Sequence, residues 1–190
     1  MLINIKLLKA AAIAVSKEET RYYLNGVCLQ ADEKNGVIFV ATDGHRLLAF
    51  RQSETYEGEA LNVIIPNDII AAIKLNKKID DGELTRDGDK WTLEYSCFSV
   101  YFKMIGGDFP DWRRFVPSEC DGKPAAFNPK YYGDFEKVAK ILERTGSCIQ
   151  ISYNGEGPSL IGFGDDVDGF GVIMPYRTRI NELNKPDWAK

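Results

Sequence analysis

Ala41-Thr42-Asp43-Gly44-His45-Arg46-Leu47 sets a turn dipeptide beside a cation, an apolar side chain and the only histidine of the 190-residue chain. Such a cluster reads as the edge of a site, although a lone histidine beside a turn is more often a hydrogen-bonded spacer. Other segments invite chemistry and carry it less far. Asp165-Asp166-Val167-Asp168-Gly169 suggests calcium, but it lacks the alternating ligand pattern and the distal glutamate, so an acidic hairpin tip is the better account. Gly162-Phe163-Gly164 and Gly169-Phe170-Gly171 resemble pieces of phosphate loops, yet neither opens a helix, and both read as strand-end turns. With one histidine, no nucleophile–base pairing and no complete phosphate loop, an enzyme is not expected, nor is a metal or other cofactor.

The elements that must hold the heptapeptide are legible around it. A β-branched and aromatic run over 37–40 and an apolar run over 47–50 flank Asp43-Gly44, so the segment should cap a β-hairpin. A hydrophobic content of 44% suits one or two ordinary globular domains. No run of eighteen apolar residues exists and the first residues lack the pattern of a secretory leader, so a soluble cytoplasmic protein without membrane attachment is expected. Cys28, Cys97, Cys120 and Cys148 stand far apart with no CxxC pair, as buried small hydrophobes of a reducing compartment do.

A single order of signals recurs three times: a short strand, a helix of about three turns, then alternating strands. The first unit has a strand over 2–5, a helix over 6–17, and strands over 22–30, 37–42 and 47–51. The second has a strand over 61–65, a helix over 67–78, and strands over 82–85, 90–95 and 99–104. The third starts near Ala125, with a helix over 129–144 and strands over 148–153, 159–163 and 171–174. Pro66-Asn67-Asp68 and Asn128-Pro129 offer helix starts. Residues 33–36, 87–89 and 154–157 offer hairpin turns. The three helices hold ten basic side chains, Lys6, Lys9, Lys17, Lys74, Lys77, Lys78, Lys130, Lys137, Lys140 and Arg144, against four acidic ones, on a chain whose net charge is −4. Basic helices on an acidic body suit loose tracking of phosphates; the alternative is a set of ordinary solvated helix faces.

Four segments, Arg21-Tyr22-Tyr23-Leu24-Asn25-Gly26, the histidine heptapeptide, Phe109-Pro110-Asp111-Trp112-Arg113-Arg114 and Val172-Ile173-Met174-Pro175-Tyr176-Arg177, together resemble the bacterial sliding clamp, DNA polymerase III subunit beta. The resemblance implies an α+β DNA clamp fold of about three strand-helix-three-strand half-domains, with antiparallel sheets outside and helices lining a DNA-facing side. It implies that 1–118 correspond to a middle clamp domain, 119–177 to half of a C-terminal one, and 178–190 to a tail. The helix cations listed above would then face double-stranded DNA without sequence preference, joined by Tyr22 and Tyr23.

The same resemblance implies a pocket for clamp-docking peptides of polymerases, clamp loaders or repair proteins. Its walls would be Leu24, Thr42, Gly44, His45, Arg46, Leu47, Pro110, Arg114, Phe115, Val172, Met174, Pro175, Tyr176 and Arg177. Phe115, Tyr176 and Trp112 are bulkier than the residues common in the family at those places. The expected function is a homo-oligomeric processivity factor, a dimer or tetramer, that surrounds DNA. A monomeric adaptor or decoy competing with a full clamp is the alternative.

Overall fold

The computed structural model describes residues 1–75, 81–143, 149–176 and 186–189. Each of the first two repeats opens with a strand and a helix: β1 (Leu2–Asn4) and α1 (Ile5–Ala11), then β5 (Leu61–Pro66) and α2 (Asn67–Ala72). Three strands follow in each, β2 (Gly26–Asp32), β3 (Gly36–Thr42) and β4 (Arg46–Arg51) in the first, β6 (Asp81–Asp87), β7 (Lys90–Tyr95) and β8 (Phe98–Phe102) in the second. The third repeat supplies α3 (Pro129–Ile141), β9 (Gln150–Ser152), β10 (Ser159–Gly162) and β11 (Gly169–Ile173). Residues 124–128, where its opening strand was expected, are not a strand.

The first two repeats interlock by exchanging their opening strands. β1 joins the second repeat's sheet in the order β1-β6-β7-β8, and β5 joins the first's. The first repeat's sheet continues into the third repeat, in the order β5-β2-β3-β4-β11-β10-β9. All its neighbours are antiparallel, and at the junction Leu47 faces Val172 and Phe50 faces Gly169.

Side chains alternate across a strand, so the large sheet has two apolar faces. Phe39, Ala41, Leu48 and Phe50 face the helices, in a core with Ile5, Leu8, Ile70, Phe135 and Val138 that also takes Leu84, Trp91, Leu93 and Phe102 from the smaller sheet. Val40, Leu47, Ala49 and Val172 face the other way, under Leu24, Phe109 and Trp112. Being apolar on both sides is why β2 to β4 read as nearly continuous hydrophobic runs.

The helices are shorter than their periodicity suggests. α1 passes into a 3-10 turn over Ala12–Ala14, and Val15 is extended, because the Ser16 amide is drawn to the Leu24 carbonyl at 3.0 Å. Lys17 therefore lies on a loop. The expected strand over 22–30 begins only at Gly26, since Glu19–Leu24 form a 3-10 turn closed by Asn25 N donating to Tyr22 O. α2 stops where Ile73 turns extended, so Lys74 lies beyond it. Lys9 Nζ donates to the Ile70 and Ile73 carbonyls at 3.0 and 2.5 Å, satisfying that helix end. α3 matches its signals: Asn128 Oδ1 accepts from Lys130 N and Pro129 occupies the first turn. Lys77, Lys78, Arg144 and Cys148 lie outside the described residues.

Gly169 is required at the sheet junction, because a Cβ there would lie 2.3 Å from the Phe50 ring and 2.8 Å from the Ala49 carbonyl. Gly169→Ala should destabilise the fold by roughly 1–3 kcal/mol, the usual cost of overpacking, measured by denaturant unfolding.

Candidate functional site

The β3–β4 turn is held by its own side chains. Thr42 Oγ1 donates to Arg46 O at 2.7 Å and accepts from Gly44 N at 3.1 Å, while Asp43 Oδ1 accepts from His45 N and Arg46 N at 2.9 and 3.0 Å. Gly44 sits at φ +87°, and a Cβ there would stand 2.6 Å from a guanidinium nitrogen of Arg21. The positive φ is the demand that favours glycine, since the Arg21 guanidinium is the far end of a flexible side chain.

Beside this turn, on the sheet face away from the helices, lies a cavity of about 280 Å³. Leu47 and Val172, paired in register across the junction, are in its wall with Leu24, all nearly fully buried. The lining also takes Pro110, Trp112 and Phe115 from the segment after β8, Thr42, Gly44 and Met174 at the strand ends, and Arg21 and Tyr23 from the 19–24 turn. Met174 is set in place by its amide donating to His45 O at 2.8 Å. Met174 and Phe115 stay 38% and 56% exposed, so apolar surface remains open at the rim. Trp112 is fixed from behind: its Nε1 donates to Gln30 Oε1 at 3.1 Å and Arg113 covers its ring at 4.3 Å.

The structure thus brings together Leu24, Thr42, Gly44, Arg46, Leu47, Pro110, Phe115, Val172 and Met174 of the expected wall. His45, Arg114, Pro175 and Tyr176 lie outside that lining, and Arg177 lies outside the described residues. His45 instead stacks on Tyr131 of α3 at 5.4 Å, and the Tyr176 amide donates to Ala126 O at 2.7 Å, leaving its ring 63% exposed. Arg46 lies at the cavity edge, but its guanidinium turns to the helix side, where it meets Asp43 at 3.1 Å, Asp134 of α3, and the Tyr131 ring at 5.0 Å. The cation on the cavity wall is Arg21, held by Glu18 at 2.7 Å. Sequence reasoning missed Arg21 as a lining residue, named Trp112 only as a bulky departure at the pocket, and put Tyr23 with the DNA contacts. All three stand within three residues of Leu24 or Pro110 in segments already recognised, which is the signal that could have found them.

The helix cations divide into groups. Lys9 is turned inward onto α2, where burial lowers its pKa, and Lys6, 18% exposed, pairs with Glu143 at 3.1 Å. Neither presents a free charge to a ligand, contrary to expectation. Lys137 and Lys140 pair along α3 with Asp134 and Glu136 at 2.5 and 2.6 Å, yet both stay more than 60% exposed. Lys17, Lys74 and Lys130 are exposed and form no ion pair among the described residues. Tyr22 is 54% exposed and rests beside Gly107 on the segment that covers the cavity-side face.

Among the described residues, no group of three or more His, Cys, Asp or Glu side chains gathers as a metal site, and no helix is long and apolar enough to cross a membrane. Asp168 of the acidic tip is held by Arg51 at 2.5 Å. Burial pushes the Cys28 thiol up to about 12, which leaves it protonated and inert at neutral pH.

Residues 4–111 match the family model described as DNA polymerase III beta subunit, central domain. The chain belongs to the DNA polymerase III beta subunit family. Beta sliding clamps of Rickettsia bellii and Caulobacter vibrioides are 29% and 34% identical over 84% and 78% of this chain. Those alignments span 44% and 41% of the relatives, so the chain covers about two-fifths of their length. The crystal structure of the DNA polymerase sliding clamp from Bacillus subtilis superposes with a TM-score of 0.77 at 20% identity, over 94% of this chain and 64% of that one. The fold is therefore the α+β clamp fold.

Burial alone would raise the Asp134 carboxyl, but hydrogen bonds from Lys137 and Arg46 outweigh it and hold it below the ordinary carboxylate range. Its stabilisation is full above the unfolded-state value near about 3.9 and is lost as pH falls through the lower folded value. Asp134→Asn should cost on the order of 2 kcal/mol at neutral pH and flatten the loss of stability below about pH 4, as measured by urea unfolding across pH.

Proposed function

We propose that this chain is a non-catalytic, sliding-clamp-like processivity factor of the cytoplasm. It assembles around double-stranded DNA and tethers polymerase, clamp-loader or repair proteins through peptides that dock in the cavity. The observation that carries the reading is the cavity itself, apolar, open at Met174 and Phe115, and shared between the first and third repeats across one sheet. Residues 1–118 serve as a middle clamp domain and 119–177 as half of a C-terminal one. His45, Arg114, Pro175, Tyr176 and Arg177 then act, if at all, on the flanks of a docked peptide.

Burying two or three peptide side chains contributes roughly 1.5–3 kcal/mol each, against an association cost of at least about 4 kcal/mol, which favours micromolar exchangeable binding. In a titration with a clamp-docking peptide followed by calorimetry, wild type should bind in that range. Met174→Asp and Phe115→Asp, both at exposed positions, should abolish binding without unfolding the chain; unchanged affinity in both would remove the cavity from the function.

Tracking DNA falls to the exposed cations on the helix side and at its ends: Lys17, Lys74, Lys130, and Lys137 and Lys140, whose exposed ion pairs are weak enough to exchange for phosphate. Replacing Lys17, Lys74 and Lys130 by Ala should reduce the dependence of log K on log salt by about three, read from DNA binding at several ionic strengths. An unchanged slope would place DNA elsewhere. The alternative is a monomeric adaptor or decoy that competes with a full clamp, which would need the cavity alone. Peptide binding at the mass of one chain, with no salt-dependent DNA association, would select it.

A further inference from the structure

Trp91 and Trp112 are buried, whereas Trp188, on the 3-10 turn Asp187–Ala189, is 86% exposed. Tryptophan is buried on average and carries a large apolar area, so an indole left in water gains more than most side chains from an apolar seat within reach. The cavity lies on the same stretch of chain. Met174 lines it, and the Met174 and Tyr176 amides, donating to His45 O and Ala126 O at 2.8 and 2.7 Å, lead the backbone out from its rim. Trp188 follows Tyr176 by twelve positions. Extended chain covers roughly 3.3–3.6 Å per residue, so a seat within about 40 Å of Tyr176 is within its span.

Size and chemistry agree with that seat. At about 280 Å³ the cavity is small for a ligand pocket, while an apolar cavity of about 150 Å³ already takes a benzene ring. One indole beside a proline ring suits it better than a long segment does, and Pro186 supplies that neighbour with its backbone already restricted. Trp112 and Phe115 offer aromatic edges and faces, and Arg21 offers a cation for the indole face. Asp187 would bring a carboxylate to the wall that holds Arg21, whose exposed pair with Glu18 is weak enough to exchange.

We propose that Trp188, with Pro186, docks in the cavity of its own chain and competes there with incoming peptides. The covalent link is what makes a weak contact count. A short tether sets an effective concentration in the millimolar range, so a segment whose free dissociation constant is only about 0.1–1 mM still holds the cavity for half of the time or more. An incoming peptide must displace it, which raises the threshold for docking without closing the site. The proposal deepens the docking function above and rests on the cavity taking peptides at all.

The test is fluorine NMR of the full chain labelled with fluorotryptophan, whose three tryptophans give three signals. The signal missing from Trp188→Ala is that of Trp188. In wild type it should be shielded from solvent at every protein concentration, and Met174→Asp should move it to a solvent-exposed position. A synthetic peptide of residues 178–190 is then titrated with the Trp112 signal as the reporter. Trp188→Ala should bind that peptide about two- to tenfold more tightly than wild type does, and Trp188→Ala with Met174→Asp should not bind it. Equal affinity in wild type and Trp188→Ala, or a Trp188 signal that Met174→Asp leaves in place, overturns the proposal. A Trp188 signal that becomes shielded only as protein concentration rises also overturns it, in favour of docking on a second copy. If the tail behaves as expected while a clamp-docking peptide fails to bind Trp188→Ala, the docking of partners is what fails and the self-docked tail stands.

Discussion

The antiparallel pairing of β4 with β11 is the contact on which the rest of the molecule depends. It joins the first repeat to the third across more than a hundred residues of chain, and it does so with backbone hydrogen bonds that need no particular side chains. What makes the register specific is the pattern on each face. A slip of β11 by one residue would carry Val172 to the helix side and Gly171 to the cavity side, while β4 stays in register with β3. Gly171 is also packed tightly, since a Cβ there would lie 2.9 Å from the Phe135 ring. The junction therefore sets both the seat of α3 and the wall of the cavity.

A second link crosses the same junction through polar groups. Arg46 and Asp134 are the buried charged side chains among the described residues, and they pair with each other. Burying such a pair gains little net stability, because desolvation offsets much of the attraction, but removing one partner leaves the other charge uncompensated. Its effect is to specify how α3 sits. Arg46 is followed directly by Leu47, so the backbone that presents Leu47 to the cavity is the backbone whose neighbouring side chain anchors the helix. Tyr131, between His45 and Arg46, adds a stacked contact at the same place.

Strands were legible in the sequence because their hairpins carry local chemistry. Asp32 accepts from Lys34 N and Asn35 N, and Gly88 and Gly155 adopt positive φ, so each turn is written in a few adjacent residues. Helix ends were not legible, because tertiary contacts decide them: the lysine that satisfies α2 comes from sixty residues earlier, and the extended Val15 follows from the docking of the 19–24 turn. The same division holds at the cavity. Leu24, Leu47 and Val172 could be named because they stand in the segments that carry the family resemblance. The direction of a guanidinium could not, since Arg46 and Arg21 differ only in which carboxylates lie within reach, Asp134 and Asp43 for one and Glu18 for the other.

Strand alternation also separates the two activities that the proposed function combines. Residues of β4 alternate between the helix core and the cavity, so a docked peptide and a DNA backbone would meet opposite faces of one sheet. Neither ligand would then block the other, and their charge demands need not conflict. The inward pairing of Lys6 and Lys9 limits how strongly the helix side can hold phosphate, and the pairs of Lys137 and Lys140 on the exposed face of α3 limit it further. On the proposed function, each phosphate contact would have to displace an existing carboxylate or rely on an isolated lysine, so binding per chain would be weak and would add up only if several chains faced the same duplex. A weak helix face and an apolar cavity on the opposite face of the sheet are mutually consistent: tight hold on DNA would come from assembly, and recruitment of partners from the cavity.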